Sequence, residues 1–347
     1  MGQMKALAKV APGAGGMQII RREVPECGAG EVVVRVNAAS ICGSDLHMYL
    51  GEIECPTGIV MGHELAGCIA VTANDVDGWR PGDRVTSELH VGACGQCEYC
   101  TNGMVMMCPA KTPPGWSSDG AFAEYIKLPA SLLHRIPDAV TDQMAALTEP
   151  IAGILGVVNV LGVRPADFVL VVGDGPIGLA AANVVRALGA AKVALAGRGQ
   201  RSSVRLAVAR QMRLDMVLDH DRDNVVDAVR EATGGLGADM VIEAAGNEGA
   251  LQTATHAIRP AGRLCAIGLT GPPAIPVEWN EMMKRRIQVA FAWSADSASF
   301  AHALSLLASR SISFPDGMIR TYPLEEWHDA FEALKGLQAV KAQFVMD

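Results

Sequence analysis

The stretch Phe168–Gly189, FVLVVGDGPIGLAAANVVRALG, decides the fold of the chain. Its first five residues are apolar and predict a buried strand. Pro176–Gly189 predicts a helix, because proline stands near its start and glycine follows its end. Between the two, Gly173, Gly175 and Gly178 form G-x-G-x-x-G, a turn that lets backbone approach a pyrophosphate at a helix N-terminus. The stretch therefore predicts a dinucleotide-binding unit.

The residue at the end of the second strand, Lys192–Ala196, indicates which dinucleotide is bound. NAD-binding proteins usually place Asp or Glu there, whereas this chain has Gly197, followed by Arg198 and Arg201. Two arginines can bind a 2′-phosphate with charge-assisted bonds, although a solvated pair on an exposed loop is the alternative. The pattern favours NADP over NAD. The predicted cofactor-binding residues are Gly173, Gly175, Pro176, Ile177, Gly178, Gly197, Arg198 and Arg201.

The pattern of predicted strands and helices differs between this part of the chain and the residues before it. Strands and helical segments alternate through Asp215–Asp219, Ala238–Ala244 and Gly262–Gly268, which predicts a parallel sheet with helices on both faces. The first 150 residues or so instead predict short strands broken by glycine and proline. These strands are Glu31–Val36, Gly58–Val71, Asp83–Leu89 and Phe122–Pro129. Two amphipathic helical stretches, Phe300–Ser309 and Leu324–Leu337, and an apolar end follow Trp293. We expect an α/β domain inserted between a β domain and a returning C-terminal segment.

Composition limits the function classes. The chain has 347 residues and a net charge of −8, which argues against nucleic acid as a partner. No apolar run approaches the roughly 18 residues of a membrane span, and the N-terminus does not resemble a signal peptide. Nine cysteines without a secretory signal favour reduced thiols or metal ligands in the cytoplasm.

The loop Gly92–Cys108, GACGQCEYCTNGMVMMC, contains four of these cysteines. Cys94, Cys97, Cys100 and Cys108 have the spacing C-x2-C-x2-C-x7-C, which suits a tetrahedral zinc site; an iron–sulfur cluster is the competing interpretation. Zinc with four protein ligands has no open position. The loop therefore predicts a structural site.

A second, scattered set has the donors of a catalytic zinc. Cys42 lies in ICGSDLH, His63 and Glu64 in MGHE, and Glu149 in LTEP. Each has an ordinary explanation as a buried thiol, packed histidine or surface carboxylate. Together they offer the three or so ligands of a zinc site that keeps one position open for substrate.

These motifs, the cysteine loop and VVGDGPIG occur in an order that resembles zinc-dependent medium-chain alcohol and polyol dehydrogenases, closest to the sorbitol and threonine dehydrogenase branch. The resemblance spans essentially the whole chain. It implies a GroES-like, mostly β catalytic domain with an inserted Rossmann domain, a doubly wound parallel sheet. We expect residues 1–151, completed by 294–347, to form the first and residues 152–293 the second.

The resemblance also implies roles for single residues. Cys42 and His63 would bind the catalytic zinc, and Glu64 would bind it or exchange with water. Glu149 stands where other alcohol dehydrogenases have cysteine and would bind the metal or its water. The resemblance therefore leaves undecided whether Glu64 or Glu149 is the zinc ligand in the resting enzyme. Ser44 matches the hydroxyl that contacts the substrate alcohol, and His47 matches the outer member of a proton relay.

The implied function is a zinc-dependent oxidoreductase, with two zinc ions per chain, that interconverts a secondary, polyol-like alcohol and a ketone through NAD(P), as a homodimer or homotetramer. A threonine-type 3-dehydrogenase is one alternative. A non-catalytic zinc- or nucleotide-binding regulator is another, but it would need neither Ser44 nor His47. Ala292 and Trp293 replace the polyol branch's Arg-aromatic pair, which argues against a simple sorbitol assignment, and Trp116 or Trp293 could line the pocket.

Overall fold

A computed structural model describes residues 2–200, 203–270 and 274–346. Its strands are β1 (Gln3–Lys9), β2 (Met17–Glu23), β3 (Glu31–Ser40), β4 (Glu64–Thr72), β5 (Arg84–Ser87), β6 (Tyr125–Pro129), β7 (Leu133–Arg135), β8 (Phe168–Val172), β9 (Lys192–Gly197), β10 (Met216–Asp219), β11 (Ala238–Glu243), β12 (Ile258–Ala266), β13 (Gln288–Phe291), β14 (Ile319–Tyr322) and β15 (Lys341–Val345). Its helices are α1 (Gly43–Leu50), α2 (Glu98–Thr101), α3 (Asp142–Ala145), α4 (Thr148–Leu161), α5 (Pro176–Ala187), α6 (Ser203–Gln211), α7 (Val225–Ala232), α8 (Glu248–Ala257), α9 (Trp279–Lys284), α10 (Ser297–Ala308) and α11 (Trp327–Lys335).

The strands β8 to β13 form one parallel sheet in the order β10-β9-β8-β11-β12-β13. Counted from β8 as the first strand, this is the order 3-2-1-4-5-6 of a dinucleotide-binding sheet. Strand β8 is buried on both faces: Val169 and Val171 belong to one apolar core, and Leu170 and Val172 to the other. This arrangement explains why FVLVV is continuously apolar and confirms the predicted Rossmann-type sheet.

Seven of the other strands build a largely antiparallel sheet in the order β14-β15-β3-β4-β5-β7, with β6 also paired to β3, and β1 and β2 form a separate antiparallel pair. Strand β15 pairs antiparallel with the end of β3, and Gln343 lies opposite Ser40. The C-terminal segment therefore returns to the sheet formed by the N-terminal strands. The aromatic ring of Phe344 packs at 4.9 Å, edge to face, on Phe122 in the core of this sheet.

Two details differ from the expectations. The predicted strand Gly58–Val71 begins only at Glu64, because Gly62 has φ +88° and its Cα packs against the Phe122 ring. The sequence reading also missed helix α1, which follows β3 within two residues. The predicted domain boundary at residues 151 and 152, which lies within helix α4, stays a prediction.

One apolar helical stretch, Asp142–Leu161, is long enough by composition to cross a membrane. However, 61% of its most apolar window is buried inside the fold. Ile151, Ile154 and Leu155 are fully buried in the core shared with α5 and α10. The stretch is therefore typical of a core helix.

Candidate catalytic metal and cofactor sites

The pairing of β3 with β4 brings the scattered metal-ligand candidates together. Ser40 at the end of β3 lies opposite Glu64 at the start of β4. Cys42 is two residues beyond Ser40, and His63 directly precedes Glu64, so all three side chains meet at one end of the sheet. Potential ligand atoms of Cys42, His63 and Glu64 lie within 4.8 Å of one another. This geometry supports the predicted ligand set, in which Cys42 is separated from His63 and Glu64 by about 20 residues in the chain.

The buried carboxylate of Asp45 lies beside both Cys42 and His63. Asp45 in the first turn of α1 is fully buried and accepts a hydrogen bond from the Cys42 backbone N–H at 2.8 Å. Its other carboxylate oxygen lies 3.8 Å from Nδ1 of His63. Burial opposes a charged His63, but the negative charges of Asp45 and Cys42 raise its pKa well above the usual value. The same negative charges favour a metal cation in this space.

Lys341 is a residue of this site that the sequence did not predict. It begins β15, is 2% exposed, and its Nζ lies 2.7 Å from the carboxylate of the fully buried Glu64. Burial alone would lower the pKa of Lys341, but the charges of Glu64, Cys42 and Glu149 raise it. The pairing of β15 with β3 brings this lysine to the site. No local sequence motif around Lys341 predicts that position.

Glu149, the second residue of α4, is near enough to interact electrostatically with His63 and Glu64 but lies outside the 4.8 Å set of Cys42, His63 and Glu64. Burial and the charge of Glu64 raise the pKa of Glu149 to about 7, while His63 acts in the opposite direction. Its role as a metal ligand stays a prediction. The donors S, N and O around one buried, negatively charged space fit a divalent cation such as zinc.

Ser44 and His47 lie three residues apart on α1 and therefore share one side of the helix. Both are partly buried, and the His47 ring Nδ1 pairs with the exposed carboxylate of Glu52. The sequence reading did not include Glu52, which extends the predicted relay toward solvent.

The four-cysteine loop forms a second cluster. The ligand atoms of Cys94, Cys97, Cys100 and Cys108 lie within 4.8 Å of one another, and all four thiols are unpaired. The sulfurs of Cys94 and Cys108 are 3.7 Å apart, too far for a disulfide. This distance matches the edge, about 3.8 Å, of a tetrahedron with Zn–S bonds of about 2.3 Å.

Backbone N–H groups lower the pKa of Cys94 and Cys108, whereas burial raises that of Cys100. The Cys94 N–H donates to the sulfur of Cys108 at 3.4 Å and lowers the pKa of Cys108 to about 6. The Cys97 N–H donates in the same way to Cys94. The cluster therefore fits a zinc ion with a closed coordination shell, as the spacing predicted.

The glycine turn has the predicted strand–turn–helix context. Gly173 has φ +121°, and Gly175 is the N-cap of α5 with Pro176 in the first turn. A Cβ on Gly178 would lie 1.9 Å from the carbonyl oxygen of Gly173, so only glycine allows this helix to pack so closely. The free N–H groups at the start of α5 form an anion site.

Acidic side chains from two other segments lie beside the loop after β9. Arg198 is exposed, and its Nε lies 3.2 Å from Asp221. Its backbone N–H faces Asp174 of the glycine turn at 3.3 Å. Burial raises the pKa of Asp174, and the nearby Arg205 guanidinium opposes that shift. Arg201 lies outside the described residues.

Comparisons with known proteins agree with this architecture. Residues 28–138 match the alcohol dehydrogenase GroES-like domain, and residues 176–309 match the zinc-binding dehydrogenase domain. A sorbitol dehydrogenase of Halalkalibacterium halodurans is 33% identical over 97% of this chain and 98% of its own length. A zinc-binding dehydrogenase from Sinorhizobium meliloti 1021 bound to NADP superposes with a TM-score of 0.91, at 27% identity, over 99% of this chain and 100% of that one. An alcohol dehydrogenase from Escherichia coli CFT073 in complex with NADH superposes with a TM-score of 0.88, at 28% identity, with the same coverage.

The fold and the two cysteine-containing sites define a zinc-type oxidoreductase with a nucleotide-binding domain. The chain belongs to the zinc-dependent medium-chain alcohol dehydrogenase family. The predicted family, fold class and enzyme class are thereby confirmed.

Proposed function

We propose that this enzyme oxidises a secondary alcohol of a polyol or sugar alcohol to a ketone, reversibly, in the cleft between a catalytic domain (1–151 and 294–347) and a nucleotide-binding domain (152–293). The observation that carries the proposal is the convergence of Cys42, His63 and Glu64 on one buried space. Unlike the four-cysteine cluster, these three residues leave one position of a four-coordinate zinc ion free for substrate. The similarity to a sorbitol dehydrogenase supports the substrate class.

The side chains around this space have separate tasks. Cys42, His63 and either Glu64 or Glu149 would hold zinc, which when bound lowers the pKa of a substrate hydroxyl, while a bound nicotinamide accepts hydride. Ser44 takes the hydroxyl proton. His47, paired with Glu52, passes that proton to solvent.

A substrate panel tests the proposal. Purified, zinc-loaded enzyme is assayed with polyols, polyol phosphates, simple secondary alcohols and L-threonine, each with NAD and NADP. We expect the highest kcat/KM on a polyol-type alcohol. Turnover confined to threonine would favour the amino-alcohol alternative, and nucleotide binding without any turnover would favour a regulator.

We further propose NADP as the preferred cofactor, supported by the absence of a carboxylate on residue 197 and by the arginine beside it. Arg198→Ala should then raise the Kd of NADP about 10-fold or more, because charge-assisted bonds to phosphate contribute roughly 1.5–3 kcal/mol. The Kd of NAD should change little. Isothermal titration of both dinucleotides measures the effect, and equal changes for both would contradict a phosphate role.

The edge of the parallel sheet supports a homo-oligomer. Within the described part of the chain, no strand pairs with the outer edge of β13; the side chain of Phe291 on this strand is 79% exposed, and four large apolar residues near it in the sequence are exposed as well. These residues are Trp279, Met283, Val289 and Trp293. Unprotected apolar edge strands are uncommon in monomers, and antiparallel pairing with the same edge of a second copy would cover it.

Phe291→Asp should therefore convert the oligomer to smaller species, because it replaces the most exposed apolar side chain of this strand with a charge. Sedimentation velocity measures the mass, and circular dichroism checks the fold. The exposed Val160→Asp, on helix α4, is the matched control, since Val160 is 73% exposed on another element. A wild-type monomer would contradict the proposal. We assign the enzyme to the cytoplasm, in keeping with its nine unpaired cysteines.

A further inference from the structure

The carboxylate of Asp174 fills the space in which a side chain on residue 197 would begin. A Cβ built on Gly197 would lie 2.6 Å from the Asp174 Cβ and 2.5 Å from its Oδ2. Gly197 ends β9, the second strand of the parallel sheet. In NAD-binding Rossmann folds, this is the strand end that supplies the acid for the adenosine ribose. The glycine is therefore required by the position of Asp174.

Its surroundings hold Asp174 in this place. Asp174 follows Gly173 in the glycine turn and is partly buried, and its Oδ2 accepts the Arg198 N–H at 3.3 Å. The guanidinium of Arg205, from α6, attracts the carboxylate and lies 3.9 Å from a Cβ built on Gly175. The carboxylate thus stands between the end of β9 and the predicted pyrophosphate site at the start of α5.

We infer that Asp174 supplies, from the glycine turn, the ribose-binding carboxylate that the end of β9 lacks, and that it determines dinucleotide specificity. This inference rests on the proposed dinucleotide-dependent function. An acceptor at this place binds the 2′-hydroxyl of NAD, whereas its negative charge repels the 2′-phosphate of NADP. Asp174 and Arg198 therefore favour different dinucleotides, and Asp174 limits the preference for NADP.

Direct binding tests the inference. The Kd values of NAD and NADP are measured by isothermal titration on zinc-loaded wild type, Asp174→Asn and Asp174→Ala. We expect both variants to raise the Kd of NAD about 10-fold, the loss of one charged hydrogen bond, and to leave the Kd of NADP unchanged or lower it. Asp329→Asn removes an equal charge from an exposed residue of α11 and should leave both Kd values unchanged.

A transplanted carboxylate gives the sharper result. In Asp174→Ala/Gly197→Asp, the space vacated at residue 174 accepts a side chain on residue 197, so NAD binding should recover most of its loss. A ratio of Kd values that stays as in wild type in Asp174→Asn overturns the inference, and so does an equal loss of affinity for both dinucleotides. Because binding is measured, a failure of the alcohol assays alone would count against the proposed substrate and not against Asp174.

Discussion

Cys42→Ala should lower kcat/KM by more than about 100-fold while the fold stays intact. Mutating residues that only orient zinc ligands already lowers metal affinity or activity roughly 10- to 100-fold. Cys42 is itself one of the three proposed ligands at the catalytic site, so its loss should cost more. The hydrogen bond from the residue 42 backbone to Asp45 survives the change, so α1 keeps its start. Steady-state kinetics, zinc content and circular dichroism on the same sample provide the measurement.

Cys97→Ala is the matched comparison, because it also removes one thiol but from the closed four-cysteine cluster. We expect this variant to lose one zinc ion and to unfold at a lower temperature, since structural zinc sites contribute folding free energy. Freshly purified protein that still holds its other zinc should retain most of its kcat. The opposite pattern, an inactive Cys97 variant and an active Cys42 variant, would reverse the assignment of the two sites.

Lys341→Met should destabilise the protein by about 3–5 kcal/mol, the cost of removing one partner from a buried ion pair. Methionine keeps much of the side-chain volume but leaves the Glu64 carboxylate, which is fully buried, without its cation at 2.7 Å. Urea unfolding of zinc-loaded enzyme, followed by circular dichroism, measures the loss of stability.

The double variant Lys341→Met/Glu64→Gln separates the ion pair from simple packing. Removing both charges should recover a large part of the lost stability, because no buried charge is then left unpaired. If the loss of stability in the double variant equals the sum of the losses in Lys341→Met and Glu64→Gln, the ion pair does not explain the instability of Lys341→Met.

The sequence predicted those parts of the fold that local pattern encodes. FVLVV, the glycine turn and the following helix are local signals, and the strand and the start of α5 lie where the pattern placed them. The cysteine loop was also predictable, since the spacing of Cys94, Cys97 and Cys100 is itself the geometry of a metal site. The donor types of Cys42, His63, Glu64 and Glu149 suggested a catalytic metal site, and the family resemblance gave each residue its role.

What the sequence could not predict depends on contacts between distant segments. Lys341 reaches Glu64 only because β15 pairs with β3, which brings together residues 277 positions apart. No pattern in the sequence pointed to Asp174, because the contact of its carboxylate with Gly197 joins two separate segments. The Gly62 turn that shortens β4 depends on the Phe122 ring. In each case, the deciding partner lies outside the local window that a pattern covers.

The central claim is that one chain holds two metal sites with different tasks, an open one at Cys42 and His63 and a closed one at the cysteine loop. Zinc content per chain, measured by inductively coupled plasma mass spectrometry on wild type and Cys42→Ala, tests it most directly. The account predicts two zinc ions in the wild type and one in the folded, inactive variant. One zinc ion in the wild type, or two in the variant, would contradict it.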